Sequence, residues 1–356
     1  MTFDSILKLF GGLALFLYGM HMMSSGLEGA AGDRMKTILE RLTSNRFLGI
    51  IVGAAITAVI QSSSATTVMV VGFVNSQLMT LNQAVWIIMG ANIGTTITGQ
   101  LIALDASKIA PLVAIFGVVL VTFLKGKKVN AFGEIFAGLG ILFIGMDMMS
   151  TAMMPLRDSP AFVNLMTRFS NPALGILAGA VFTAAIQSSS ASVGILQALA
   201  VSGVIGLPSA VYVLFGQNIG TCITAVLASI GTSRNAKRTT VIHLLFNIIG
   251  TVVFTVICML TPLTAFVESL SPANPAAQIA NMHTLFNIAT TLMLLPFGTL
   301  LAKAAVRILP ERPSEKSGEH QLLYIKPVEA SLEYQMGTSA IIVNGVWREL
   351  RRMAKM

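Results

Sequence analysis

The sequence predicts an all-α integral membrane protein built from two inverted-topology repeats, each with a re-entrant helical hairpin and a broken helix, about seven full spans plus the two hairpins. Three observations predict it. Of 356 residues, 54% are apolar and only 11% charged, too few to solvate a soluble globule of this size. Apolar stretches close to the roughly 20 residues that cross a ~30 Å hydrocarbon layer recur along the chain. The first part of the sequence also returns later at a constant offset of 126 residues.

In chain order, spans are expected at 5–27, 82–104, 109–124, 132–153, 208–230, 239–261 and 278–300. Lys8 lies inside the first stretch and no small-residue cleavage site leads into a polar sequence, so 5–27 reads as a span and not a removable signal. The stretches 47–74 and 172–202 carry Gln-Ser-Ser-Ser at their centres and read as pairs of short helices folded back on each other. After Pro310 the run from Glu311 to Glu319 is a charged linker without core-forming residues. Pro327 to Met356 then reads as an amphipathic helix with a basic last turn at Arg348, Arg351 and Arg352. The chain divides into 1–128, the first membrane repeat; 129–309, the second repeat plus an additional C-terminal span; and 310–356, a cytoplasmic linker and helix.

A net charge of +8 does not point to nucleic acid, because the bases sit at the edges of apolar segments and not on one face interleaved with aromatics. Topology accounts for them. The pieces 28–46, 125–128, 234–238 and 303–356 hold 19 of the 23 Lys and Arg residues, which places the N-terminus outside and the C-terminus in the cytoplasm of a multi-pass protein of the inner (plasma) membrane. Cys222 and Cys258 both lie inside expected spans, where neither a disulfide framework nor a four-ligand metal site can be argued.

Laying Leu9–Leu104 over Ile135–Ile230 without a gap gives 36 identities in 96 positions. A repeat with three crossings must place its second copy upside down, hence the inversion. The densest matches are polar residues inside apolar sequence. Gln61-Ser62-Ser63-Ser64-Ala65 returns as Gln187-Ser188-Ser189-Ser190-Ala191, and Gly90, Asn92-Ile93-Gly94-Thr95 and Thr98 return as Gly216, Asn218-Ile219-Gly220-Thr221 and Thr224.

Backbone that leaves its helix within a membrane is tolerated only where protein or a watery cavity satisfies it. Helix N-termini at the Gln-Ser-Ser-Ser tips suit an anion, and Ser and Thr hydroxyls add donors. Amide and hydroxyl oxygens also suit a small hard cation. Small residues serve packing faces too, but two matching clusters with a glutamine in each exceed what packing needs. Asp147 and its counterpart His21 are ionisable residues near span ends, where reaching the interface explains them. His243 with Asn247, and His283 with Asn287, are four residues apart on one helix face and read as hydrogen bonds between helices.

Gln-Ser-Ser-Ser paired with Gly-x-Asn-Ile-Gly-Thr, occurring twice over residues 5–300, resembles the sodium-dependent phosphate cotransporters. The resemblance implies inverted repeats and sodium-coupled phosphate transport. It implies that phosphate meets Gln61, Ser62, Ser63, Ser64, Gln187, Ser188, Ser189 and Ser190. Sodium would meet Thr66, Asn92, Thr95, Thr96, Thr98, Ser192, Asn218, Thr221 and Thr224, with Cys222 standing where the second threonine would recur. The tail resembles the opening helix of the PhoU-like domain of many bacterial members, and a basic helix on the anionic leaflet is an equal reading. The expected function is a secondary active transporter coupling sodium to inorganic phosphate movement by alternating access; a membrane phosphate sensor signalling through its tail is the alternative. No phosphate-binding Gly-x-x-x-x-Gly-Lys-Ser/Thr loop occurs, and no His or carboxylate lies within either Gln-Ser-Ser-Ser segment, so an enzyme is not expected. The expected partners are phosphate, sodium and the lipid bilayer, with a homo-oligomer open; no cofactor beyond sodium as coupling ion is expected.

Overall fold

A computed structural model of the chain describes residues 2–31, 45–104 and 108–311. Most of the basic 28–46 loop and the tail helix expected at 327–356 lie outside the described residues. Residues 1–309 form one unit, and the regular elements among its described residues are helices joined by short turns. The order is α1 (Phe3–Ala31), α2 (Arg46–Ile60), α3 (Ser63–Asn75), α4 (Leu81–Ile102), α5 (Ala110–Phe123) and α6 (Lys127–Met153). There follow α7 (Pro160–Thr167), α8 (Pro172–Ile186), α9 (Ser189–Val201), α10 (Leu207–Gly220) and α11 (Cys222–Ala228). The last are α12 (Arg234–Leu260), α13 (Leu263–Leu270), α14 (Pro275–Leu294) and α15 (Gly298–Ile308).

Starts are written in the sequence by the usual side-chain caps. Asn45 and Asn171, counterparts in the repeat, accept from Phe47 N–H (2.9 Å) and Ala173 N–H (3.0 Å) to open α2 and α8. Thr80 and Gln83 form a capping box at α4.

Among the described residues, six helical stretches are long and apolar enough to cross a membrane, a seventh being reached only if 160–170 and 172–186, bent by 102°, count as one. The stretch expected as a span at 109–124 is α5, whose 14 residues reach about 21 Å at 1.5 Å per residue and fall short of the hydrocarbon layer. A second expectation is corrected in α4, which runs unbroken through Gly90-Ala91-Asn92-Ile93-Gly94. The reason is that these glycines serve contact and not unwinding: side-chain carbons at Gly90 and Gly94 would overlap Ile50 O and Ala54 O of α2. Only the second copy is interrupted, at Thr221 between α10 and α11. There Gly216 and Gly220 press in the same way on Ile176 O and Ala180 O of α8.

The repeat therefore reappears as structure. α2 lies parallel to α4, and α8 parallel to α10, through the same glycine contacts displaced by 126 residues. α1 and its counterpart α6 pack on each other: a carbon at Gly19 would stand 2.6 Å from Gly138 O, one at Gly145 2.6 Å from Gly12 O, and one at Gly26 2.6 Å from Ala131 O. As numbers rise on α1 they fall on α6, so these two equivalent helices run antiparallel. Glycine thus decides helix approach at these crossings, and a helical glycine that does not is instructive. Gly72 of α3 has nothing within 4 Å of the position a side chain would take. Gly72→Ala is accordingly expected to leave thermal stability unchanged or raise it by up to about 1 kcal/mol, since an exposed helical glycine only costs chain entropy. A lowered melting temperature would refute that.

Two apolar clusters mirror each other. One joins Val52 and Ile56 of α2, Val70 of α3, Ile88 and Met89 of α4 and Phe246 of α12. The other joins Val193 and Leu196 of α9, Leu214 and Phe215 of α10 and Met282 and Phe286 of α14.

Candidate functional site: two hairpin tips and the helices behind them

α2 ends at Gln61, which takes the left-handed conformation (φ 57°, ψ 23°) while its N–H still bonds Thr57 O at 2.8 Å. Ser62 is extended, and its Oγ accepts from Ala65 N–H at 3.1 Å, capping α3. The second copy repeats the turn. Gln187 has φ 60° and ψ 20°, its N–H bonds Thr183 O at 2.7 Å, and Ser188 Oγ accepts from Ala191 N–H at 3.2 Å. Left-handed backbone is normally given to glycine, so a glutamine there in both tips is a strained choice held by its surroundings.

The tips meet. Ser63 Oγ and Ser189 Oγ, identical positions of the two copies, lie 3.5 Å apart, both buried. The N-termini of α3 and α9 therefore converge on one point, each bringing helix-start N–H groups without partners in their own helix. Ser190 adds to the junction, its hydroxyl 3.5 Å from Gln61 O and 3.3 Å from Thr98 Oγ1. Behind each tip a hydroxyl pair ties the hairpin arms: Thr57 to Thr66 at 2.9 Å and Thr183 to Ser192 at 2.7 Å. Residues 47–104 and 172–233 hold no Lys, Arg, Asp, Glu or His, so every donor facing this junction from those segments is neutral.

The two halves are occupied differently. Gln61 is buried, and Thr98 donates to its Oε1 at 2.7 Å, while Ser24 of α1 donates to Ile60 O at 2.6 Å. Gln187 is exposed, Thr224 turns back to Thr221 O at 3.0 Å, and Ser150, the counterpart of Ser24, donates to Ala198 O and not to Ile186 O. The glutamine side chain of one tip is bonded to its polar helix, and that of the other is exposed.

Of the expected site residues, the structure brings Gln61, Ser63, Ser189, Ser190 and Thr98 together; Ser62 and Ser188 work as caps. Ser64 is half-buried at the first turn of α3. Asn92, Thr95 and Thr96 bond back to Ile88 O, Ala91 O and Ile93 O of their own helix. Asn218 bonds Leu214 O and, across the helices, receives His283 Nε2 at 3.1 Å. Thr221 Oγ1 is buried without a partner. Asp147 and His21 are exposed. Asp147 lines a cavity of about 190 Å³ with Ser150 and Asn274, and Ser150 bonds Ala198 O, nine residues along α9 from Ser189.

Sequence reasoning missed two glutamines. Gln197 is fully buried and its amide nitrogen donates to Gly99 O and Ala276 O, both at 3.0 Å, tying α9 to α4 and α14. Gln217 donates to Ser192 O at 3.0 Å behind the second tip, and its Oε1 is left without a partner. The signal was present: a glutamine inside an uncharged apolar span, the argument already applied to Gln61 and Gln187.

The sequence profile of the Na+/Pi-cotransporter family matches residues 15–151 and 157–271, which include both tips and both polar helices. The chain belongs to that family. Among relatives of this chain, the uncharacterized Bacillus subtilis protein YqeW is 35% identical over 302 residues, 84% of this chain and 97% of that one. A Salmonella typhimurium protein named provisionally as an inorganic phosphate export protein, YjbB, is 28% identical over 310 residues. The match covers 87% of this chain but 56% of YjbB, so the chain spans little more than half of that relative's length. The human sodium-dependent phosphate transport protein 2B is 38% identical over 101 residues, 28% of this chain and 15% of its own. No solved structure matches.

Proposed function

We propose that this Na+/Pi-cotransporter family member is a secondary active transporter of the plasma membrane, not an enzyme, that couples sodium to inorganic phosphate movement by alternating access of a site at the junction of the two tips. The observation that carries the reading is the meeting of two capped helix N-termini at Ser63 and Ser189, 3.5 Å apart. Two positive dipole ends and a set of hydroxyls suit a tetrahedral oxyanion.

The tips are read as re-entrant hairpins of two inverted repeats. The antiparallel packing of α1 on its counterpart α6 supports this, because a two-fold axis lying across those helices turns one copy upside down relative to the other. In this reading phosphate contacts Gln61, Ser62, Ser63 and Ser64 with Gln187, Ser188, Ser189 and Ser190. Sodium takes oxygens among Thr66, Asn92, Thr95, Thr96, Thr98, Ser192, Asn218, Thr221 and Thr224. With no cationic side chain in these segments, a co-bound sodium supplies the positive charge that phosphate lacks, and each ion lowers the cost of desolvating the other. The difference between the engaged Gln61 tip and the exposed Gln187 tip is what an alternating mechanism requires of two equivalent halves. The sensor reading has no observation of its own in its favour.

The test is flux of radiolabelled phosphate into liposomes holding the purified chain. Flux in a sodium gradient is expected to exceed that in an equal potassium gradient at least about tenfold, the 1.4 kcal/mol scale of a modest coupling. Equal rates in both would remove sodium coupling from the mechanism, and no flux in either would remove phosphate transport.

A further inference from the structure

α12 and α14 carry a repeat of their own, displaced by 40 residues: His243-x-Leu245-Phe246-Asn247-Ile248-x-x-Thr251 and His283-x-Leu285-Phe286-Asn287-Ile288-x-x-Thr291. Each docks on the polar helices in a matching way. Thr251 donates to Phe215 O of α10 at 3.2 Å, and Thr291 donates to Met89 O of α4 at 3.4 Å; Met89 is the counterpart of Phe215 in the larger repeat. Phe286 stacks on Phe215 with 5.0 Å between ring centres, and Phe246 shares an apolar cluster with Met89. The symmetry that exchanges α4 with α10 therefore also exchanges α14 with α12. It carries the pair His283 and Asn218 onto the pair His243 and Asn92.

The two pairs are not in the same state. His283 Nε2 meets Asn218 Oδ1 at 3.1 Å, whereas His243, buried to the same 1% exposure, has both ring nitrogens without a partner. A buried polar group left unpaired costs free energy that a native structure normally avoids. That cost is tolerable if the group is paired in another conformation. The imbalance runs together with the other one: where Gln61 is held by Thr98, Gln187 is exposed.

We propose that His283 and His243 are positioning residues that secure Asn218 and Asn92 in turn, the first bond closing in the conformation described and the second in its mirror conformation, where the Gln187 tip takes up the contacts that the Gln61 tip makes here. The proposal rests on the alternating-access reading. Each bond stabilises one of two states, so deleting either shifts the populations toward the other.

Exposure at the tips reports the state, because Ile60 is 8% exposed and its counterpart Ile186 37%. In the full chain carrying Cys258→Ser in liposomes, with Cys222 buried, single cysteines at Ile60→Cys and Ile186→Cys are labelled with a membrane-permeant maleimide. His283→Leu is expected to speed labelling at 60 and slow it at 186, by about threefold or more, and His243→Leu to do the reverse. His283→Gln keeps an N–H for Asn218 and is expected to label like the parent. If either leucine variant fails to fold, His283→Phe and His243→Phe keep ring volume and carry the same test. Shifts in the same direction for both histidines, or none, overturn the proposal. Labelling needs no transport, so absent phosphate flux in the parent protein would overturn the transport reading separately, while opposite shifts would still support the paired histidines.

Discussion

Gln61→Ala and Gln187→Ala are each expected to reduce sodium-driven phosphate flux by about one to two orders of magnitude while the protein still inserts and elutes as a single species. The Gln61 side chain donates to Ala58 O and accepts from Thr98 at 2.7 Å, joining the left-handed turn to α4. Truncating it removes the acceptor of the Thr98 hydroxyl in a buried junction and leaves that group only the longer 3.3 Å contact with Ser190, a loss of about 1–3 kcal/mol or roughly 5- to 150-fold. Gln187 makes no such contact in the conformation described, yet the repeat gives it the same turn and, in Thr224, a counterpart of Thr98. Its loss is therefore expected to act on the mirror conformation, slowing the cycle and leaving stability close to wild type. Flux at the wild-type rate from either variant would reduce these glutamines to packing residues.

The largest effect on folding is expected at the helix crossings. Gly90→Val and Gly216→Val each force a branched side chain onto backbone, Ile50 O in one copy and Ile176 O in the other, where nothing flexible can yield. Overpacking typically costs about 1–3 kcal/mol and occasionally more; with rigid backbone as the obstacle these variants are expected at the top of that scale, and neither is expected to yield monodisperse protein in detergent. Gly72→Ala serves as the contrasting case. A Gly90→Val protein with the parental melting temperature would show that α2 and α4 do not pack as described.

The tips were legible in the sequence because their chemistry is local. A serine that caps a helix and a polar residue that ends one leave their mark within four positions, and both copies carry it. The course of α4 was not legible, because a glycine that lets two helices touch looks the same as one that lets a helix unwind; only the partner, Ile50 O, distinguishes them. α5 failed as a span on length alone. The docking of α12 and α14 was hidden for another reason. Their kinship follows a 40-residue offset while the helices they join follow one of 126, so His243 and His283 found no counterparts in the first repeat. Nor could matching motifs disclose unlike states: Gln61 and Gln187 sit in the same words of sequence, and only coordinates separate the engaged one from the exposed one.

The uncharged character of residues 47–104 and 172–233 bears on how the protein experiences voltage. A membrane potential does work of about 2.3 kcal/mol per elementary charge per 100 mV only on charge that moves through the field. Hairpins and polar helices without ionised side chains carry no gating charge of their own, so rearranging these segments is electrically silent apart from small shifts of helix dipoles. Under the transport reading proposed above, these segments add no charge movement to a cycle, so the sign and size of its current weigh the sodium ions carried against the charge on the phosphate.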